Sequence, residues 1–273
     1  MLRFVKLITF DVSGTLIQVK GTVGEQYSKF LLKHMGVLFN ESVLQKSFNS
    51  SIKHHAKYIP MFGYHHGFTS KQWWQSVFLL TVLEKYPNYG SSKSPVELYA
   101  QVTNREIINC VIDKRLLFAF DDVYQNFEWI VLPYAAEVLA SLQQQSSSYK
   151  DKLVVGVVSN NDSRLISVLN KLKLLQYFDF VFTSYEVGFE KPDKRIFCKA
   201  LEHASALRKN EIQPNEMLHI GNEIEKDYFA AIDFGCKSIL IDPSNNVAVP
   251  STHHISNLSK LKDLFDNGKY FSN

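Results

Sequence analysis

Hydrophobic positions fall into two rhythms along the 273-residue chain. Near the start, Phe4 to Phe10 is a short, nearly continuous apolar run, which predicts a buried strand. It ends on Asp11, and a turn containing Gly14 and Thr15 leads to a second apolar step, Leu16-Ile17. From there to about Phe127 helical spacing dominates. The pattern predicts a helix over Gln26–Met35 that stops at Gly36, a second over 41–59 opened by Asn40, and a third over Thr69–Tyr86. The third carries the apolar stripe Trp73, Val77, Leu80 and Leu83; a fourth helix is expected over Pro95–Asp113.

After Pro133 the rhythm changes to alternating strand and helix. Helices are expected at Tyr134–Gln145, Ser163–Leu174, Lys194–Ser205, Glu225–Phe234 and Leu258–Phe265, with a polar loop over Gln143–Lys150. Strands are expected at Leu153–Ser159, Phe180–Ser184, Met217–Gly221 and Lys237–Ile241. Such alternation predicts an α/β fold with a doubly wound parallel sheet. The helical block then reads as an all-α insert after the first strand, dividing the chain into a core domain of 1–20 and 131–273 and an inserted domain of 21–130.

Composition narrows the function classes. Hydrophobic residues make up 45% and charged ones 21%, the balance of an ordinary globular protein. A net charge of +3 gives no argument for nucleic acid or a membrane surface as partner. No apolar run reaches the roughly 18 residues of a spanning helix. The first strand begins so close to Met1 that no cleaved leader is expected, and Cys110, Cys198 and Cys236 have no metal spacing. The expectation is an intracellular, cytoplasmic protein with reduced thiols, and the sequence leaves monomer and homodimer equally open.

Four predicted strands run into polar residues. The first ends at Asp11, the second at Ser159-Asn160-Asn161-Asp162, the third leads to Lys191-Pro192-Asp193, and the fourth to Gly221-Asn222 and on to Asp227. Singly, each has an ordinary use: a turn acid, a helix cap, a solvated lysine, a first-turn acid. Jointly they fall where parallel strands present their carboxyl ends, the place where open α/β sheets bind ligands. Such a set suits a carboxylate that attacks a phosphorus or carbon centre, with a hydroxyl and a lysine for phosphoryl oxygens and acids for Mg²⁺.

The order of these motifs resembles the haloacid dehalogenase superfamily. DVSGT is similar to its first motif, VVSNN to its second, EKPD to its third and HIGNEIEKD to its fourth, and the helical insert is similar to its type-1 cap. The resemblance implies that Asp11 is the nucleophile and a Mg²⁺ ligand, that Ser13 lends a carbonyl to the metal, and that Thr15 supports the turn. It further implies that Gly14, Ser159 and Asn160 (the last mainly through its amide) bind the phosphoryl group. Lys191 would offset charge, and Asn222 and Asp227 would hold Mg²⁺. The implied substrate is a small phosphorylated molecule.

Two positions depart from the pattern. Ser13 stands where the family has its general acid/base Asp, help worth about 10² to 10⁴ in rate. Asn222 stands where a metal-binding Asp is usual, which removes one negative charge. Three readings follow: a slow Mg²⁺-dependent phosphohydrolase, a non-catalytic fold that binds a ligand or protein partner, and a metal-free 2-haloacid dehalogenase. Against the last, no Arg lies between Arg3 and Arg105, where a dehalogenase expects one early in the cap.

In the insert, Trp73 and Trp74 are expected in the core of the helices, and the adjacent pairs His54-His55 and His65-His66 give no zinc spacing. The loop Phe62–Gly67 is expected to carry substrate specificity, with hinges near 17–24 and 129–134.

Overall fold

The computed structural model describes residues 5–86, 88, 102–104, 112–147, 153–243 and 249–267. The chain divides into two compact units: Met1–Gln18 with Trp129–Asn273, and Val19–Glu128. Its strands are β1 (Leu7–Phe10), β2 (Ile17–Val19), β3 (Trp129–Val131), β4 (Val154–Ser159), β5 (Phe180–Thr183), β6 (Met217–Gly221), β7 (Lys237–Ile241) and β8 (His254–Ile255). Six form one sheet in the order β5-β4-β1-β6-β7-β8, while β2 and β3 pair separately. Every pairing in the large sheet is parallel.

Strands β1, β4 and β6 are buried throughout, which is why they read as apolar runs. Their two faces feed two separate cores, as a period of two requires. Ile8, Phe10, Val155 and Val157 pack with Val138, Leu142, Leu169 and Leu261. Leu7, Val154, Val158 and Met217 pack instead with Ile196, Phe197, Ala200 and Ala231. Helices Ala135–Ser147, Arg164–Lys171, Lys194–Arg208, Ala230–Phe234 and Leu258–Asn267 thus cover both faces of a doubly wound, Rossmann-like sheet. Among the described residues, no helix is long and apolar enough to cross a membrane.

Several elements differ from expectation. The helix Ala135–Ser147 extends into the stretch expected as a loop over Gln143–Lys150, since Gln is a good helix former, and residues 148–150 lie outside the described residues. Strand β5 stops at Thr183, whose hydroxyl caps a short helix, Ser184–Val187. The segments expected as hinges include β2 and β3, and the strand at His254–Ile255 was too short to leave a periodic signal. The expected helix Pro95–Asp113 lies almost wholly outside the described residues. Of the cysteines, Cys236 is buried and Cys198 half-buried, while Cys110 is outside the described residues.

The second unit contains helices Val23–Met35, Glu41–Tyr58, Ser70–Leu83 and Lys114–Asn126. The first begins earlier than its apolar pattern, because Thr22 and Glu25 form a reciprocal capping box. Gly36 closes it in the left-handed conformation with φ 70°. Tyr27, Leu31, Phe78, Leu116 and Phe120 lie at the centre of this unit's main core. Trp73 is buried beside Val77 and Ile59, whereas Trp74 is half-buried at the edge of that cluster.

Candidate active site

The sheet order reverses at β1, with β4 on one side and β6 on the other. The carboxyl ends of these three strands therefore flank the crevice that such a topology creates. Asp11 follows β1, Ser159 ends β4 and Gly221 ends β6, so the sequence brings its polar residues to one edge.

Lys191 is the centre of the cluster. Its side chain is 1% exposed, and its ammonium donates to Asp11 Oδ1 at 2.9 Å, Asp227 Oδ1 at 2.6 Å and the Val158 carbonyl at 2.8 Å. Three protons meet three acceptors, which is the full donor capacity of the group. Asn160 holds the lysine's backbone from both sides: its Nδ2 donates to the Lys191 carbonyl, and its Oδ1 accepts from the Lys191 amide, each at 2.8 Å. Ser159 is buried and donates its hydroxyl to Asp11 Oδ1 at 3.0 Å.

Asp227 is 1% exposed, and both its oxygens are engaged. Oδ1 takes Lys191 and His219 Nε2 (3.2 Å), and Oδ2 takes the Glu223 amide at 2.8 Å. The segment that carries it, Ile224–Phe229, is a single π turn rather than the start of a regular helix. Gly221 makes room for it: a Cβ there would lie 2.2 Å from Asp227 Cγ. Both oxygens of Asp227, expected to hold Mg²⁺ directly or through water, accept from the lysine, the histidine and the backbone.

His219 was not among the expected site residues. It is fully buried on β6 in register with Thr9 of β1, and its Nδ1 lies 2.8 Å from the Thr9 hydroxyl. Asp227 can only accept from Nε2, so the neutral ring carries its proton there and accepts from Thr9 at Nδ1. The sequence signal was a histidine inside an otherwise apolar strand, Met-Leu-His-Ile-Gly.

At Gly14, expected beside the phosphoryl group, the turn after β1 closes on itself. The Gly14 amide donates to the Ile17 carbonyl at 2.8 Å, so that proton is spent inside the turn rather than kept for an anion. Gly14 has φ +84°, and a Cβ there would lie 2.7 Å from Asn222 Nδ2, so glycine is required on both counts. Among the described residues, the amides of Val12, Ser13, Asn160 and Asn161 find no acceptor. Successive backbone amides of this kind form a nest for anions.

Thr15 donates to Asn222 Oδ1 at 2.9 Å, and its 3.5 Å contact to Asp11 Oδ2 is too long to compete for the same proton. Ser13 is exposed, and its hydroxyl accepts from Asn161 Nδ2 at 3.3 Å. Asn161 is a second residue that the sequence motif did not single out.

Electrostatics follow from the burial. Burial pushes the Asp11 carboxyl above the usual carboxylate range, with Lys191 pulling against it. For Lys191, burial disfavours the ammonium, but the charges of Asp11 and Asp227 outweigh it and raise its pKa. For Asp227, burial is likewise outweighed by Lys191 and His219, which hold it well below the carboxylate range. Burial lowers the pKa of His219 and keeps the ring neutral. At neutral pH Lys191 is a fixed cation and Asp227 a fixed anion.

Comparison with known proteins agrees with this geometry. Residues 5–235 match the family described as haloacid dehalogenase-like hydrolase. The chain is 30% identical over 96% of its length to haloacid dehalogenase-like hydrolase domain-containing protein 3 of Mus musculus, covering 94% of that protein. It is 33% identical over 86% of its length to the Rhythmically expressed gene 2 protein of Drosophila melanogaster, covering 82% of that protein. Among solved structures, the magnesium-bound YfnB of Bacillus subtilis shares the fold with a TM-score of 0.60 at 15% identity, over 96% of this chain and 99% of that one. The 2-haloacid dehalogenase of Pseudomonas syringae does so with a TM-score of 0.57 at 18% identity, over 97% and 99%. The four motifs, the doubly wound sheet and these matches together establish that the chain belongs to the haloacid dehalogenase-like hydrolase family.

Proposed function

We propose that this protein is a magnesium-assisted phosphohydrolase that acts on a small phosphorylated molecule through an aspartyl-phosphate at Asp11. The observation that carries the reading is the carboxylate at the end of β1, with one oxygen held by Lys191 at 2.9 Å and Ser159 at 3.0 Å. Burial raises the Asp11 carboxyl, and the Lys191 ammonium opposes that rise and favours the ionised form a nucleophile requires. Oδ2, with only the long contact from Thr15, is the oxygen left to react or to meet a cation. The amides of Val12, Ser13, Asn160 and Asn161 supply the donors for phosphoryl oxygens. Asn160 keeps Lys191 in register with that nest, and Asp227 with His219 holds the ammonium from behind.

The residues fit a weakly held Mg²⁺. Asp11 Oδ2, the Ser13 carbonyl and Asn222 Oδ1 form an all-oxygen set with a single carboxylate, and Mg²⁺ commonly takes one or two carboxylates with water and phosphate oxygens. Bound there, Mg²⁺ would neutralise phosphate charge and orient the phosphoryl group. Among the described residues, no group of three or more His, Cys, Asp or Glu side chains gathers as a metal cage.

The test is Mg²⁺-dependent phosphate release from a panel of phosphorylated metabolites and aryl phosphates, with Asp11→Asn alongside. Release that requires both Asp11 and Mg²⁺ is expected. No Asp11-dependent release from any substrate would overturn the reading in favour of a ligand-binding fold.

A further inference from the structure

We propose that the preferred substrates are phosphoryl donors whose leaving group departs as a stable anion, namely acyl phosphates and phosphoric anhydrides, because no group of the core cluster is free to protonate it. This inference rests on the phosphohydrolase reading and names its substrate class.

When Asp11 attacks phosphorus, the bond from phosphorus to the leaving oxygen breaks and both electrons go to that oxygen. An alkoxide formed this way needs a proton in the transition state, and a carboxylate or phosphate does not. The cluster supplies no such proton. All three Lys191 protons are directed to Asp11, Asp227 and Val158. His219 is fully buried, with one ring nitrogen on Thr9 and the other on Asp227. Asp227 accepts at both oxygens. At the rim stand the Ser13 hydroxyl and its partner, the Asn161 amide, and neither exchanges protons near neutral pH. Among the described residues, acid–base service is thus absent from the core groups bonded to the nucleophile and at its rim.

The full cycle with an acyl phosphate balances without an acid. Asp11 takes the phosphoryl group and the carboxylate leaves with the bonding electrons. Water oxygen then bonds to phosphorus, the bond to Asp11 breaks, and its electrons return to the Asp11 carboxylate. One water proton stays on the transferred oxygen and the other ends on a phosphate oxygen. An acyl phosphate dianion and water become a carboxylate and dihydrogen phosphate.

The experiment measures kcat/KM of the full chain with Mg²⁺ for acetyl phosphate, pyrophosphate, a series of substituted phenyl phosphates and ethyl phosphate. Asp11→Asn and Ser13→Asp are assayed in parallel. The expected result is a steep fall in rate as the leaving group becomes more basic, with ethyl phosphate the poorest substrate. Ser13→Asp should then raise the ethyl-to-acetyl phosphate rate ratio by about 10² or more, towards the 10² to 10⁴ worth of a general acid. A rate independent of leaving group, or a ratio unmoved by Ser13→Asp, would overturn this inference and leave the phosphohydrolase reading standing. Absence of Asp11-dependent release even from acetyl phosphate would overturn both.

Discussion

Replacing Lys191 by Met removes the charge on which two buried carboxylates depend. The side chain of Lys191 is 1% exposed, and those of Asp11 and Asp227 are 11% and 2% exposed. Removing one partner of a buried pair costs about 3–5 kcal/mol, because the remaining charge is left without compensation. Here one ammonium serves both carboxylates, and the Val158 carbonyl also loses its donor. A destabilisation of about 4 kcal/mol at pH 7 is therefore expected, which moves a urea midpoint by about 2 M for a slope near 2 kcal/mol per M. The penalty has a definite pH dependence. Without the cation, the two carboxylates repel each other and their pKa values rise in the folded variant. A raised folded pKa gives stability that is present at low pH and lost as pH rises through it, so the variant recovers as pH falls, by up to about 1.4 kcal/mol per pH unit. The second substitution Asp227→Asn in the same chain removes one of the stranded charges and should recover at least about 1 kcal/mol through coupling. Urea unfolding at pH 7 and pH 5, read by hydrogen exchange in Leu7–Phe10 and Val154–Ser159, reports on the core unit alone. A loss below about 1 kcal/mol, a loss unchanged between the two pH values, or a double variant weaker than the single one would refute the reasoning.

The raised Asp11 carboxyl sets an acid limb for phosphate release: activity should fall with decreasing pH at a value above the ordinary carboxylate pKa of 3.8, and a limb at or below that value in a kcat/KM profile would contradict the burial argument. Gly221→Ala should displace Asp227 and destabilise the core by about 1–3 kcal/mol, the usual cost of overpacking, since its Cβ would lie 2.2 Å from Asp227 Cγ; calorimetry of the variant checks it. In the helical unit, buried His55 bonds Ser51 O and Ser76 Oγ, and burial lowers its pKa from 6.5 to about 4. A lowered folded pKa gives stability that is full above pH 6.5 and lost as pH falls towards 4, about 3 kcal/mol in all, and hydrogen exchange in Glu41–Tyr58 should show that loss in the wild type and a flattened dependence in His55→Gln. Titration calorimetry should find Mg²⁺ affinity in the millimolar range that Asn222→Asp tightens; an unchanged affinity would remove Asn222 from the metal site.

The fold was legible because its signals are local. Four buried strands showed as apolar runs, and Asn40 and Gly36 marked helix ends. Strands of two or three residues, β2, β3 and β8, are too short for periodicity to register and are fixed by pairing alone. At the site, sequence spacing named Asp11, Ser159, Lys191 and Asp227, but not which atom faces which. It could not foresee that the Gly14 amide would close its own turn, or that Asn160 would grip the Lys191 backbone. Nor could it see His219 as part of the site, since that role depends on register with Thr9 across two strands 210 residues apart.

Ser13 and Asn222 are most simply understood together, through the charge they leave behind. Asp11, Asp227 and Lys191 form a buried group with one net negative charge. Acids at both 13 and 222, as in the family pattern, would add two more. Each unit charge about 5 Å from a phosphate charge repels it by about 3 kcal/mol at an effective dielectric near 20. On the phosphohydrolase reading proposed above, a dianionic phosphoryl group would therefore meet far less repulsion here, and less would be asked of a divalent cation to bring the group in. The same exchange removes the proton donor from the rim, where Ser13 now bonds Asn161. On that same reading, admission of the phosphoryl group would become easier and departure of a basic leaving group harder, so both substitutions would push selection towards substrates whose leaving group carries its own negative charge.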